Sequence, residues 1–248
     1  MKKNTWLIPL ITLLALTLLF EIALDLGHVS KFIFPKPSLT LKALWENWVW
    51  ILDNLKTTLI EALAGFLLSI VLGVGLSLSY LFISRLKEVV VPLAVAVRNV
   101  PFVAIAPILF MVLGYGPWPK IIIVMIVSFF PIMANLSAGF ASVSQNQRER
   151  FFVWRATRWQ LFTKLQLPAS IPFFVTGLEI AVSNIIIAAI VGELLGTTKG
   201  LGLVIIMSVS QYRFPLLMAA VLVTTAVSIM ITWLFRGLTR IVFRTWLE

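Results

Sequence analysis

Six stretches of this 248-residue chain are each apolar over about 20 residues, the length that an α-helix needs to cross the hydrocarbon core of a membrane. No water is present there to satisfy backbone polar groups, so such runs fold as helices. Hydrophobic residues make up 60% of the chain and charged residues 12%, against about 25% in a typical soluble domain. We therefore predict an all-α membrane protein with a single transmembrane domain over 1–248. Its spans are predicted at about 5–24, 57–83, 89–113, 121–141, 171–195 and 215–235.

The Lys and Arg residues predict the orientation of these spans, because cytoplasmic loops are enriched in positive charge. Placing both termini in the cytoplasm leaves twelve of the 20 basic residues inside and seven outside, with Arg98 within the third span. The first span follows Lys2 and Lys3 and lacks a small-residue cleavage site, which favours an uncleaved anchor over a signal peptide. Membrane topology thus accounts for the net charge of +10, and no nucleic-acid partner is expected.

The long first outer loop, 27–56, combines a helix signal with interfacial aromatic residues. Ser38 is predicted to be the N-cap of a short helix, because apolar residues follow it at helical spacing. Trp45, Trp48 and Trp50 fit the aromatic belt of a membrane interface. The loop is therefore an anchor or a docking surface for an external partner.

A basic and aromatic segment, 149–164, lies in the predicted cytoplasmic loop 142–170 between the fourth and fifth spans. It is too charged for hydrocarbon and too aromatic for a solvated loop, so we predict a short amphipathic helix at the membrane surface. Glu149 is predicted to cap or bias its N-terminus, and Pro168 and Pro172 to end it. The apolar wedge is Phe151, Phe152, Trp154, Trp159 and Phe162, with Arg155, Arg158 and Lys164 on a polar rim. The wedge presses against a partner, or the helix only lies on lipid headgroups.

Ordered motifs along most of the chain resemble those of permease subunits of binding-protein-dependent ABC importers. The cytoplasmic loop carries Glu149, Ala156-Thr157, the basic-aromatic run 158–164, Leu167-Pro168-Ala169, Ile171-Pro172 and Gly177-Leu178. The spans carry, in the family's order, Thr58-Leu59, Gly65-Phe66, Arg98-Asn-Val-Pro101, Ala106-Pro107, Gly114-Tyr-Gly116, Phe129-Phe-Pro131, Gly139, Glu193 and Lys199-Gly-Leu-Gly202. The set is most similar to the branch that imports nitrate, bicarbonate, taurine, alkanesulfonates and some vitamin precursors.

The resemblance implies a type I ABC importer fold, with a cytoplasmic coupling helix between spans four and five, in a bacterial inner membrane. The chain would not be an enzyme: partner ATPase subunits would bind ATP and Mg, and the chain has no Walker phosphate-loop pattern of its own. Other implied partners are an extracytoplasmic substrate-binding protein and a second permease copy in a homodimer. The coupling residues would be Glu149, Phe152, Trp154, Arg155, Ala156, Thr157, Arg158, Trp159, Phe162 and Pro168.

Several residues depart from the family pattern. Arg150 and Phe151 replace two alanines, and Arg155 replaces a glycine. Glu61 stands where the family usually has Arg, and Glu179 stands where its Gly-Leu-Arg motif would end. The resemblance implies a small anion or another small nutrient as the substrate, while the two inverted charges leave room for a cationic or neutral one, including an uncharged heterocycle.

Ionisable groups inside a membrane are costly and therefore mark candidate pathway residues. Arg98 meets an anion, pairs with Glu179, or extends to the headgroups. Glu193 precedes a Gly-rich turn, 196–202, and is a gate, a contact for the binding protein or a cap for that turn. The predicted pathway residues are Arg98, Asn99, Glu179, Ser183, Asn184 and Glu193.

Proline and glycine predict where the spans bend or pack. Pro101 and Pro107 interrupt the third span and Pro131 the fourth, whereas Gly73 and Gly75 in the second favour close helix packing.

Other functional classes remain as alternatives. An ion-gradient-driven secondary transporter would leave the aromatic wedge without a purpose, and a scaffold subunit would transport nothing. Cysteine is absent and His28 is the only histidine, so no metal or nucleophile cluster supports a membrane enzyme.

Overall fold

The computed structural model describes residues 7–27, 34–196 and 198–247, and these fold into α-helices joined by short turns. The helices are α1 (Leu7–Leu26), α2 (Pro37–Glu46), α3 (Trp48–Phe82), α4 (Ser84–Asn99), α5 (Phe102–Leu113), α6 (Pro117–Ala141), α7 (Gln145–Val153), α8 (Arg158–Leu161), α9 (Leu167–Val182), α10 (Ile185–Glu193), α11 (Leu201–Ser210), α12 (Phe214–Val242) and α13 (Arg244–Leu247). A π-helical turn, Phe162–Gln166, joins α8 to α9. Lys2, Lys3 and His28 lie outside the described residues.

Within the described part of the chain, four helical segments are long and apolar enough to cross a membrane. They are Trp48–Ser79, Pro117–Ala141, Arg158–Glu193 and Phe214–Val242. A fifth span results if α4 and α5, which meet at an angle of 98°, are counted together. α1 occupies the position of the first predicted span, and the total of six spans stays a prediction. The chain turns sharply within the third predicted span, 89–113, at the break before α5 where Pro101 is predicted to interrupt it.

The core of the fold is built by α3, α6 and α9, which approach one another closely at glycines. A Cβ atom placed on Gly65 of α3 would lie 2.7 Å from the Ile121 carbonyl oxygen of α6. Further along α6, a Cβ on Gly177 of α9 would lie 2.9 Å from the Pro131 carbonyl oxygen. Small residues permit this close approach between membrane helices. The predicted packing role is confirmed for Gly73, whose added Cβ would meet α6 at 3.0 Å, but is wrong for Gly75, which faces open space.

Two spans are interrupted midway. Val100 and Pro101 have extended backbone between α4 and α5, where Pro101 cannot donate a hydrogen bond to continue the helix. Ser183 and Asn184 form a turn between α9 and α10. Pro107 and Pro131 lie inside α5 and α6 without ending either helix.

Two helix boundaries differ from the sequence-based expectation. α2 begins at Pro37 with Lys36 as its N-cap, so Ser38 is not the cap; the fixed φ of proline suits the first helical position. Pro168 and Pro172 do not end the loop helix, because Arg158–Glu193 is one continuous candidate span. The wider π-helical turn just before α9 gives the Pro168 ring room that an α-helical turn would deny it.

Candidate functional site

Residues 145–166, named the 145–166 segment below, link α6 to α9 as two short capped helices. The Ser144 hydroxyl accepts from the Gln147 backbone N–H, and the Gln147 side chain accepts in return from the Ser144 backbone N–H. Thr157 and Gln160 repeat this capping box at the start of α8. The prediction that Glu149 caps the helix is wrong, because Ser144 already occupies that position; Glu149 lies mid-helix and accepts from Gln145 at 3.1 Å. Two capping boxes satisfy the free backbone donors and keep the segment ordered.

Arg155 occupies a backbone conformation that normally requires glycine. Its φ is +52°, in the left-handed region, at the turn between α7 and α8. A residue with a side chain pays about 1–2 kcal/mol for this conformation. The resemblance places a glycine at this position, so the turn itself keeps the geometry that such a glycine would provide. Arg155 therefore places a positive charge at the turn between α7 and α8, and the backbone of this turn is strained.

The aromatic residues of the segment divide into an exposed tip and a buried base. Phe152 is 84% exposed and Trp154 is 72% exposed, and Val153 between them is also exposed. Phe162 is only 7% exposed, because it packs with Leu136 and Phe140 of α6. The predicted wedge thus separates into a surface for contact and an anchor in the protein core.

The other predicted coupling residues lie around this tip and base. Ala156 is half-buried, and Thr157 and Arg158 are exposed at the start of α8. Trp159 is exposed but stacks on Phe82 of α3 with ring centroids 6.4 Å apart. Trp159 therefore connects the segment to the end of α3.

A buried polar network, named the latch below, joins α3, α6, α10 and α11 through Asn54, Thr58, Glu61, Lys120 and Glu193. The Thr58 hydroxyl donates to Glu193 Oε1 at 2.7 Å and accepts from the Leu201 N–H at 2.9 Å. Glu193 Oε2 accepts from the Gly202 N–H at 2.7 Å. Asn54 Oδ1 accepts from the Gly200 N–H at 2.8 Å. Of the predicted roles for Glu193, this geometry matches the cap for the Gly-rich turn.

Gly200 and Gly202 allow the turn to approach Glu193 this closely. Gly200 has a φ of +121°, which side chains rarely permit. A Cβ atom on either glycine would collide with Glu193. The turn is thus shaped around the carboxylate.

An ion pair between Glu61 and Lys120 completes the latch, and both side chains are buried. Sequence reasoning noted Glu61 only as an inverted charge and counted Lys120 among the outer loop cations. A signal for the latch was present in the spacing of Asn54, Thr58 and Glu61, which places three polar groups on one face of α3. Its partners on α6 and α10 could not be read from that spacing.

The structure separates the predicted pathway residues. The Arg98 guanidinium lies 4.8 Å from the centre of the Phe130 ring. Glu179 forms a salt bridge with Arg236 at 3.3 Å and accepts a hydrogen bond from the Thr239 hydroxyl at 3.2 Å. Among the described residues, its cationic partner is therefore Arg236 and not Arg98.

Asn99 and Ser183 donate to carbonyl oxygens of their own helical turns, on Val95 and Glu179. These two side chains thus have local partners.

Asn184 lines a cleft of about 180 Å³ between α5, α6 and α10. Its Nδ2 donates to the Ile180 carbonyl oxygen at 3.0 Å. The cleft wall includes Phe102, Ile123, Val127, Asn184, Ile187 and Val191. Among the described residues no cluster of metal-ligating side chains occurs. The cleft beside Asn184 is therefore a mainly apolar recess that a small molecule or a partner side chain can contact.

Residues 65–247 match the family of binding-protein-dependent transport system inner membrane components. The match begins within α3 and covers α6, α9, both interrupted spans and the 145–166 segment. The chain belongs to this family. As an ABC importer permease it is a multi-pass membrane protein, and the resemblance inferred from the ordered motifs is confirmed.

Two relatives show the range of solutes in this family. The formylaminopyrimidine transport permease protein ThiX of Halalkalibacterium halodurans is 34% identical over 90% of this chain and 89% of its own length. The putative aliphatic sulfonates transport permease protein SsuC of Bacillus subtilis is 26% identical over 82% of this chain and 75% of its own. The sulfonate permease fits the branch that the motifs predict.

A solved structure supports the fold of the permease. The crystal structure of an amino acid ABC transporter with histidines contains a chain that aligns with a TM-score of 0.65. The alignment covers 82% of this chain and 96% of the other at 17% identity. The all-α permease architecture is therefore shared, while the identity is too low to carry over residue roles.

Proposed function

We propose that this permease forms the substrate pathway of an ATP-driven importer and is coupled to cytoplasmic ATPase subunits through the 145–166 segment. The observation that carries the proposal is the division of this segment into an exposed aromatic tip and a base buried in the core. Phe152 and Trp154 form the tip, and Phe162 forms the base.

The tip has the composition of a protein interface. Aromatic residues and arginine are enriched among the residues that dominate binding energy, and Arg150 and Arg155 accompany the tip. A groove of about 370 Å³ beside it is lined by Asn146, Glu149, Arg150, Val153 and Trp154. This mixture of charged, polar and apolar lining residues suits a protein partner better than lipid tails.

The base can transmit movement of a partner into the membrane domain. Phe162 contacts Phe140 of α6 with ring centroids 5.9 Å apart and Phe82 of α3 at 5.4 Å. The candidate span Arg158–Glu193, which includes α8, α9 and α10, then extends from the segment to the latch. A displacement of the tip would therefore act on three core helices at once.

The complete assembly follows from the same proposal. The permease has six spans with both termini and the 145–166 segment in the cytoplasm of a bacterial inner membrane. Two copies form a homodimer and receive solute from an extracytoplasmic binding protein. A secondary transporter would give the exposed tip no partner, and a scaffold subunit would transport nothing. The transported solute is a small nutrient, as the relatives named for formylaminopyrimidine and aliphatic sulfonates suggest.

The test is copurification of ATPase activity with the tagged permease from its native membranes in mild detergent. The double variant Phe152→Ala with Trp154→Ala removes the tip, and we expect it to lose the ATPase while the permease stays folded. Trp233→Ala is the matched control, because Trp233 is similarly exposed but lies on α12. Phe162→Ala is assayed separately, since this residue belongs to the core.

Loss of ATPase from the tip variant alone supports coupling through the segment. Retention of full ATPase activity by the tip variant would contradict that role. Absence of any ATPase from the wild-type preparation, in several detergents, would favour the secondary transporter or the scaffold.

A further inference from the structure

The cleft beside Asn184 lies where the two interrupted spans meet. Phe102 follows directly on the break between α4 and α5, and Asn184 belongs to the break between α9 and α10. Irregular backbone at membrane depth is tolerated only where it is buried in protein or lines a cavity. Solute sites of many transporters are built from such discontinuous helices. The extended break before Phe102 and the turn at Asn184 border one cleft, which therefore points to a place where solute is contacted.

The wall of this cleft is uncharged. Its seven lining residues are apolar except for Asn184. Arg98 lies over the Phe130 ring, Glu179 binds Arg236, and Glu193 belongs to the latch, so these ionisable groups have other partners and none of them lines the cleft. An anion that entered would lose its hydration without gaining a cation from this wall, which is strongly unfavourable.

The remaining groups suit a small aromatic ring. Phe102 offers an aromatic surface against which a ring can stack or meet edge-on. The Asn184 amide uses one N–H in its bond to Ile180, which leaves a second N–H and the carbonyl oxygen as a donor and an acceptor. The volume of about 180 Å³ is close to that of an apolar cavity of about 150 Å³ that binds benzene.

We propose that this cleft contacts the transported solute, and that the solute is a neutral, single-ring heterocycle with both donor and acceptor groups. The proposal rests on the proposed transport function and goes further by assigning the solute's chemical class and its contacts. Phe102 packs against the ring, and Asn184 forms a paired hydrogen bond with its polar edge. The wall selects against sulfonates and nitrate because it supplies no positive charge.

The absence of cysteine from the chain permits a direct test in the intact transporter. Ile187→Cys places a thiol on the cleft wall, and Ile229→Cys places one on α12 as the control. The two positions match closely, because Ile187 is 56% exposed and Ile229 is 64% exposed in the single chain. Permeabilised membranes are treated with a cationic methanethiosulfonate reagent, which reacts with thiolates in water.

We expect Ile187→Cys to react about tenfold faster than Ile229→Cys, because a thiol in hydrocarbon does not ionise. Formylaminopyrimidine or cytosine, as neutral-ring probes, should slow the reaction at Ile187→Cys, whereas nitrate and methanesulfonate should not. Adding Asn184→Leu should abolish this protection and leave the unprotected rate unchanged.

Three results would overturn the assignment: equal rates at the two thiols, protection by either anion, or no protection by either ring. Copurification of the ATPase with both cysteine variants is measured in parallel. If the ATPase is retained while the labelling results fail, the cleft assignment is wrong and the transport function stands. If no ATPase is present at all, the transport function itself fails.

Discussion

Replacing Lys120 with methionine should destabilise the permease far more than replacing any exposed lysine. Lys120 and Glu61 are both buried, and Lys120→Met leaves the Glu61 carboxylate without its cation. Breaking a buried ion pair by removing one partner costs about 3–5 kcal/mol. For a chain of this size, that loss corresponds to a decrease in Tm of about 6–20 °C. The change should therefore be large enough to measure in detergent.

Removing the second charge of this ion pair should restore part of the lost stability. Adding Glu61→Gln to Lys120→Met eliminates the unpaired buried charge, and replacement of both partners is often nearly neutral. The double variant should melt at least half-way back towards the wild type. Lys56→Met is the control, because Lys56 lies on the same helix as Glu61 but is exposed.

Thermal unfolding of the purified permease can be followed by its intrinsic fluorescence, since the chain has nine tryptophans. Copurified ATPase must be removed or saturated so that partner binding does not shift Tm. The reasoning fails if Lys120→Met melts together with Lys56→Met. It also fails if the double variant is no more stable than Lys120→Met alone, because the cost would then not arise from an unpaired charge.

Two further predictions concern backbone geometry. Gly65→Ala should lower the free energy of unfolding by about 1–3 kcal/mol, because the added Cβ would meet α6 at 2.5 Å. Gly75→Ala on the same helix is the control and should be neutral or stabilising. Equal Tm values for the two variants would exclude close packing as the reason for Gly65. Arg155→Gly should relieve strain of about 1–2 kcal/mol that Arg155→Ala retains, since alanine must still adopt a φ near +52°. Chymotrypsin should therefore cleave the 145–166 segment faster in the alanine variant, and identical cleavage rates would contradict the strain.

Apolar length predicted much of the fold, but the behaviour of each proline depended on its tertiary partners. Pro101 stands at a sharp break, whereas Pro107 and Pro131 lie within continuous helices. All three have the same covalent effect on a helix: each removes one backbone donor. Whether the chain breaks or continues depends on the packing around the proline. The residues near each proline do not determine that packing. The sequence therefore predicts the position of the kink at Pro101 but not its angle.

The candidate site was predicted in part for a similar reason. The aromatic and basic composition located the 145–166 segment, yet composition treats Phe152 and Phe162 alike. One is exposed and the other is buried against α6, a helix that ends before the segment begins. Lys120 illustrates the same limit, because only the meeting of α3 and α6 converts a loop cation into a buried ion pair.

The glycine contacts of α6 determine which parts of the permease can deform. Helices usually slide past one another by small rotamer changes in the side chains between them. At Gly177 an added Cβ would lie 2.9 Å from the Pro131 carbonyl oxygen, and at Gly139 it would lie 2.7 Å from the Ser170 Cα, so backbone opposes both glycines. At these glycines no side chain on the glycine helix can adjust to a shift, so we expect α3, α6 and α9 to move together. Any change in the width of a solute passage must then come from the angled α4–α5 arm or from displacement of the whole body against a neighbouring subunit.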